Sequence, residues 1–263
     1  MFKLKQSKVS MLGMPYLHFG NGEPLVLIHG LGEVKEGWQS QFELADQYEL
    51  IIPDLRGHGE CTKAEGITIP NFASDVITLL EELKIENAHI LGLSMGGAVA
   101  QEIYRQAPHL VCSLMLISTF HYFPKKLRKP LFKFKKVRLG VAATEDAVKE
   151  TAAHMSLYSW SKENMDYFKR YFQPKRHIFL KSLNACFQVN NISLLPRIKV
   201  PTLIIGCQYD SVLPVWIQYC MHKLIPHSEF IIIRNSGHLA KLEATNRFNL
   251  LLRKFLNRHK AAA

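Results

Sequence analysis

Gly92-Leu93-Ser94-Met95-Gly96-Gly97 follows the apolar run His89–Leu93 and opens the helical pattern Met95–Gln106. A strand that turns at once into a helix through G-x-S-x-G holds its serine on a sharp turn. The hydroxyl is then exposed at the carboxyl edge of a sheet. Gly92 and Gly96 suit that turn, because a Cβ at either would collide with the neighbouring strand and helix. The helix start also favours negative charge developing beside the serine. Alone, the pentapeptide fits a structural turn equally well; its strand–turn–helix setting makes Ser94 a candidate nucleophile.

Working outward, Leu25–His29, Leu50–Asp54, Val111–Ser118, Thr202–Cys207 and Phe230–Ile233 are apolar runs of the same kind. Continuous apolar character, without strict alternation, is what a parallel sheet covered on both faces requires. Asn71–Leu83 carries Phe72, Val76, Leu79, Leu80 and Leu83 on one helical stripe, with Pro70 near its start. Thr245–Arg258 reads as a docked C-terminal helix. Strands alternating with helices imply right-handed crossovers and a doubly wound sheet. The opening segment, Lys3–Phe19 before the Asn21-Gly22 turn, is expected to form an antiparallel pair leading into it.

The 263 residues, 48% hydrophobic and 21% charged, suffice for one α/β domain with an insertion. No run has the length of a spanning helix or the pattern of a signal peptide. Five scattered cysteines without a CxxC pair favour buried thiols over disulfides or zinc, so the expectation is a soluble, cytoplasmic protein. The net charge of +11 is uneven: residues 119–198 hold 16 Lys/Arg against 5 Asp/Glu, the whole of the excess. That segment breaks the strand–helix rhythm, with helical patterns at Glu145–Leu157 and Lys162–Phe172 and no strand. The expected organisation is a core of residues 1–118 and 199–263, with a basic helical cap of residues 119–198 over one end of the sheet.

A serine hydroxyl is a poor nucleophile and needs a base. Among twelve histidines, His238 stands out because Asn235-Ser236-Gly237-His238 directly follows the strand Phe230–Ile233. Loops at strand carboxyl ends gather at one edge, the edge of Ser94. Asp210 follows Thr202–Cys207 in the same way and would orient the base. The order Ser…Asp…His is that of hydrolases built on a G-x-S-x-G turn. His29-Gly30-Leu31-Gly32 follows Leu25–Ile28 and brings further backbone N–H groups to the edge. The expected oxyanion donors are the amides of Leu31 and Met95.

With these stretches assembled, the chain resembles the α/β-hydrolase superfamily over nearly its whole length outside 119–198. The likeness is carried by Leu27–Gly32, Pro53-Asp54-Leu55-Arg56-Gly57-His58-Gly59, Gly92–Gly97, Val200–Gly206 with Asp210, and Gly237-His238 with Glu243. The resemblance implies a buried His29 bracing the oxyanion loop, and structural roles for Arg56, Gly57 and His58. Cys61 departs from the serine that relatives often carry there. Gly-Leu-Ser-Met-Gly-Gly is similar to enol-lactonases and small carboxylesterases, and equally to carbon–carbon bond hydrolases and cofactor-free perhydrolases. Relatives with a basic cap include a carrier-protein methyl esterase. Fold alone does not choose among these.

The expected activity is hydrolysis of a small-molecule carboxylic ester, lactone or thioester through an acyl-enzyme, with no metal or organic cofactor. A ligand sensor on the same scaffold is the alternative from another class. Eight basic residues lie between Lys125 and Arg138: Lys125, Lys126, Arg128, Lys129, Lys133, Lys135, Lys136 and Arg138. They form either a solvated face or a docking surface for an acidic carrier protein, an anionic membrane or an anionic substrate. Nothing resembles a nucleic-acid recognition module. Phe120 and Phe123, leaving a core strand over the active edge, are the expected pocket walls, with Leu213 and Leu239 beside Asp210 and His238. Most other aromatics of the segment read as cap core, and Trp38 as either core or pocket.

Overall fold

The computed structural model describes residues 6–126, 128–130, 133 and 144–259. Eight strands form one sheet: β1 (Lys8–Val9), β2 (Pro15–Phe19), β3 (Glu23–Ile28), β4 (Tyr48–Pro53), β5 (Ala88–Leu93), β6 (Val111–Ile117), β7 (Thr202–Cys207) and β8 (Glu229–Ile233). Their order is β1-β2-β4-β3-β5-β6-β7-β8. β1 and β2 run antiparallel, as the opening segment suggested, and every pairing from β4 to β8 is parallel.

Side chains alternate across the parallel strands because the strand period is two. Val26, Ile28, Ile90, Leu114, Leu116 and Ile204 join α1 (Ile69–Glu82) and α2 (Met95–Gln106) in one core. Leu25, Leu27, Leu91, Leu93, Met115 and Ile205 join the C-terminal helix, Thr245–Arg258, in the other. Both faces are therefore dry, which is why the strands read as unbroken apolar runs. Helix α1 begins two residues before the sequence suggests. Thr68 caps it by accepting the Asn71 amide at 3.2 Å, and Pro70 falls in the first turn, where no amide is needed.

Between β6 and β7, the described residues form helices α3 (Glu145–Ser156), α4 (Lys162–Tyr171) and α5 (Arg176–Phe187), with no strand beyond isolated bridges. One of these bridges, Glu33 with Phe172, lays the end of α4 on the loop after β3. Gly32 sits there at φ +80°, and a Cβ on it would stand 2.6 Å from the Phe172 ring. The chain then continues through β7, α6 (Trp216–Leu224), β8, the short α7 (Ala240–Glu243) and α8 (Thr245–Arg258). No helix of the described residues is long and apolar enough to cross a membrane. All five cysteines are free; Cys61, Cys186 and Cys207 are buried as the sequence suggests, whereas Cys220 is exposed and Cys112 partly so.

Candidate active site

In-register parallel pairing decides where the loops meet. Ile28 pairs with Gly92, Leu93 with Ile117, Ile117 with Ile205, and Cys207 with Ile233. The carboxyl ends of β3, β5, β7 and β8 therefore lie level, and their loops carry Leu31, Ser94, Asp210 and His238.

Ser94 has φ 54° and ψ −116°, a backbone conformation that L-residues avoid. Its neighbours hold it there: the Ser94 amide donates to Ile117 O at 2.9 Å, and Thr119 Oγ1 donates to Ser94 O at 2.6 Å. A Cβ on Gly92 would stand 2.6 Å from the Gly97 nitrogen, and one on Gly96 2.7 Å from the His29 oxygen. Strand and helix can approach this closely only through glycine. The strained turn leaves the Ser94 side chain on a cavity of about 320 Å³.

His238 lines the same cavity. Its Nδ1 is 2.7 Å from Asp210 Oδ2, and the Asp210 side chain is fully buried. Asp210 Oδ1 accepts the amides of Val212 at 2.9 Å and Leu213 at 2.8 Å, so both carboxylate oxygens act as acceptors. His238 Nδ1 must then carry the proton, which leaves Nε2 free to accept one. The loop that carries His238 is anchored on both sides. The His238 amide donates to Ser156 O at 2.7 Å, while Glu243 accepts the amides of Gly237, Tyr158 and Ser159 at 2.7–2.8 Å. Burial raises the Glu243 carboxyl above its usual range, against the pull of those amides. Among the described residues no hydrogen bond joins Ser94 to His238; such bonds are often long until substrate binds.

The amides of Leu31 and Met95 have no acceptor within the described protein. Met95 opens α2, where the first amides have no partner inside the helix. His29 is fully buried and supports the loop from below: Nε2 accepts the Leu55 amide at 3.0 Å, so Nδ1 donates to Gly30 O at 2.8 Å. Burial lowers the His29 pKa and keeps it neutral for both bonds. Arg56 pairs with Asp75 through two bonds of 2.6 and 2.7 Å, away from the cavity.

The cavity wall includes Phe120, Phe123, Leu213 and Leu239, together with Leu31 and Met95. Phe168 and Phe172, among the aromatics of which most read as cap core, also face it, whereas Tyr158 and Trp160 are exposed. Trp38 is core, fully buried beneath Lys241. The sequence reading missed Met155, Phe179, Leu183 and Phe187, which α3 and α5 bring in from distant positions with no local mark. It also missed Glu33, an acidic wall residue, and the buried Lys241 beside it. A lysine within Leu239-Ala240-Lys241-Leu242 was the available signal. Of the basic run, Lys125, Lys126, Lys129 and Lys133 are exposed, and no carboxylate of the described residues pairs with them. Lys135, Lys136 and Arg138 lie outside the described residues.

A serine on a strained strand-to-helix turn, a buried His–Asp pair and two free amides at one sheet edge define the class: hydrolases of the α/β-hydrolase fold. The model of that family, described as alpha/beta hydrolase fold, matches residues 23–245, and the chain belongs to it. Among relatives, BpoC of Mycobacterium tuberculosis, which carries a provisional non-heme bromoperoxidase name, is 27% identical over 95% of this chain and 100% of its own length. Its solved structure matches with a TM-score of 0.83 at 26% identity, over 99% of this chain and 100% of that one. Lipase 1 of Psychrobacter immobilis is 28% identical over 88% of this chain and 76% of the lipase. A thermophilic esterase from Thermogutta terrifontis matches with a TM-score of 0.86 over 97% of this chain and 100% of that one; at 24% identity this shows the fold alone.

Proposed function

We propose that the protein is a serine hydrolase that cleaves carboxylic esters of apolar acyl groups through an acyl-enzyme on Ser94. The observation that carries this reading is a single cavity lined by Ser94, His238 and the oxyanion loop, with most of its remaining wall apolar. His238 Nε2 takes the Ser94 proton as Oγ bonds to the ester carbon, and the Leu31 and Met95 amides hold the resulting oxyanion. Collapse expels the alkoxide, which receives the proton from His238. Water then attacks the acyl-enzyme by the same route, releasing the acid and Ser94. Six phenylalanines (Phe120, Phe123, Phe168, Phe172, Phe179 and Phe187) line the cavity, which favours an aliphatic or aromatic acyl group over a charged one. The lipase name of one relative agrees with that choice.

The test is labelling by a fluorophosphonate, followed by turnover of p-nitrophenyl esters of increasing acyl length. Ser94→Ala is expected to lose both while melting within a few degrees of wild type. Near-full turnover in that variant would remove the assignment.

The exposed cations of Lys125, Lys126, Lys129 and Lys133, paired with no carboxylate among the described residues, favour a second feature, a site for an acidic carrier protein presenting the ester. Charge reversal at Lys125, Lys126 and Lys129 should weaken turnover of a carrier-bound ester at least tenfold more than that of a small ester. The carrier effect should also fade at high salt. Equal losses on both substrates would exclude the docking site.

A further inference from the structure

The loop that offers the Leu31 amide also carries a carboxylate. Glu33 is 8% exposed, lines the cavity, and accepts the Gly30 amide on Oε2 at 2.9 Å. A methyl built on Gly30 would stand 3.0 Å from that oxygen and 3.6 Å from Ser94 Cβ, so carboxylate and nucleophile flank the same small space. A bare unit charge about 6 Å from a forming oxyanion, at an effective dielectric of about 20, opposes it by about a hundredfold. Such a residue would be a handicap unless its charge were cancelled.

Lys241 supplies the cancelling charge. Its Nζ is 2.8 Å from Glu33 Oε1 and 4.2 Å from the centre of the Trp38 ring, and its side chain is 1% exposed. Buried ion pairs contribute little net stability against apolar replacements of similar volume, so stability alone does not account for this one. Its position is more telling. Lys241 sits on α7, three residues past His238, and the same short helix carries Glu243, which holds the Gly237 amide. The pair thus joins the oxyanion loop to the base loop through one fixed element.

We propose that Glu33 and Lys241 are a charge-balanced positioning pair: Glu33 fixes the Gly30 amide so that Leu31 points at the oxyanion, and Lys241 neutralises Glu33 so that its charge does not oppose the oxyanion. This rests on the reading of Ser94 as nucleophile. It makes the two charges unequal in function. Losing Lys241 leaves a carboxylate beside the reacting carbon, whereas Glu33→Gln keeps an oxygen acceptor for Gly30 and leaves only a cation, which does not oppose the oxyanion.

The experiment measures kcat and KM for p-nitrophenyl butyrate, and the second-order rate of Ser94 labelling by a fluorophosphonate, at a temperature where each variant is folded. Lys241→Met is expected to lower kcat and the labelling rate at least tenfold, with KM changed less than threefold. Adding Glu33→Gln to it should restore at least fivefold of that loss. Lys241→Met at wild-type rates, or equal losses in both single variants without rescue, would overturn the proposal and show a merely structural pair. If Lys241→Met does not fold, Glu33→Gln is compared with the double variant. Once the carboxylate is gone the two should agree within threefold, and a further tenfold loss overturns the pair. A wild type that labels but does not turn over the ester counts against the ester reading alone and leaves the labelling comparison decisive. A wild type that does neither overturns both.

Discussion

Replacing Asp210 by asparagine changes one atom in the site, and the structure fixes which way the new side chain must face. Oδ1 of Asp210 takes two amide hydrogens, from Val212 and Leu213, while Oδ2 faces His238 Nδ1 at 2.7 Å. Asparagine has one oxygen, and the two amides claim it. Turning the amide over would leave both N–H groups facing an NH2, at about 1–3 kcal/mol for each unsatisfied donor. The NH2 therefore points at His238 and donates to Nδ1, so the ring proton moves to Nε2. A protonated Nε2 cannot accept the Ser94 proton. The expected loss in kcat is about 10⁴-fold, the scale seen when a triad histidine is held in the wrong tautomer, or about 5.4 kcal/mol of transition-state stabilisation. Fold and substrate binding should persist, since the Val212 and Leu213 amides keep their acceptor. The assay is p-nitrophenyl ester turnover between pH 6 and 9, with melting temperature as the control for folding. An Asp210→Asn protein that melts like wild type and keeps more than a tenth of its kcat would refute the assigned orientation of Asp210 and its role.

Two further perturbations test the cavity wall and the buried histidines. Leu183 lines the cavity from α5 and is 9% exposed, so Leu183→Trp fills part of that space without touching Ser94, Asp210 or His238 themselves. The ratio of kcat/KM for an octanoate ester to that for an acetate ester should fall at least tenfold; an unchanged ratio would place the acyl chain elsewhere. His58 is pushed down to about 3 by burial first and by the neighbouring His29 second, from an ordinary value of 6.5. The unfolded chain therefore binds the proton first: the stability that neutral His58 contributes is complete above pH 6.5 and is lost as pH falls toward about 3. Urea denaturation at pH 7 and pH 5 should show a steeper loss for wild type than for His58→Leu, with His29, lowered in the same direction, accounting for part of the remaining slope. Equal losses in the two proteins would contradict the low value.

Residue pattern alone was enough to locate the sheet and its punctuation, because each parallel strand is dry on both faces and ends where a loop must carry polar residues. The reading of Gly92 and Gly96 follows from the same logic. A strand entering a helix within two residues leaves no room for a Cβ, and the contacts of both glycines have that form. Ser94, Asp210 and His238 could be nominated because loops after parallel strands converge, a consequence of topology that survives one-dimensional reading. Tertiary structure decided what depends on approach from distant chain positions. Phe172 faces the cavity where it packs on Gly32 of the loop after β3, Phe168 lies on the same wall, and nothing in their helical spacing distinguishes pocket from core. Trp38 is core because Lys241 lies over it. The pairing of Glu33 with Lys241 spans the length of the chain and joins two loops that only the folded sheet brings together. Charge and apolar periodicity are local properties that a sequence displays directly. The partner of a buried charge is set by packing, which it does not.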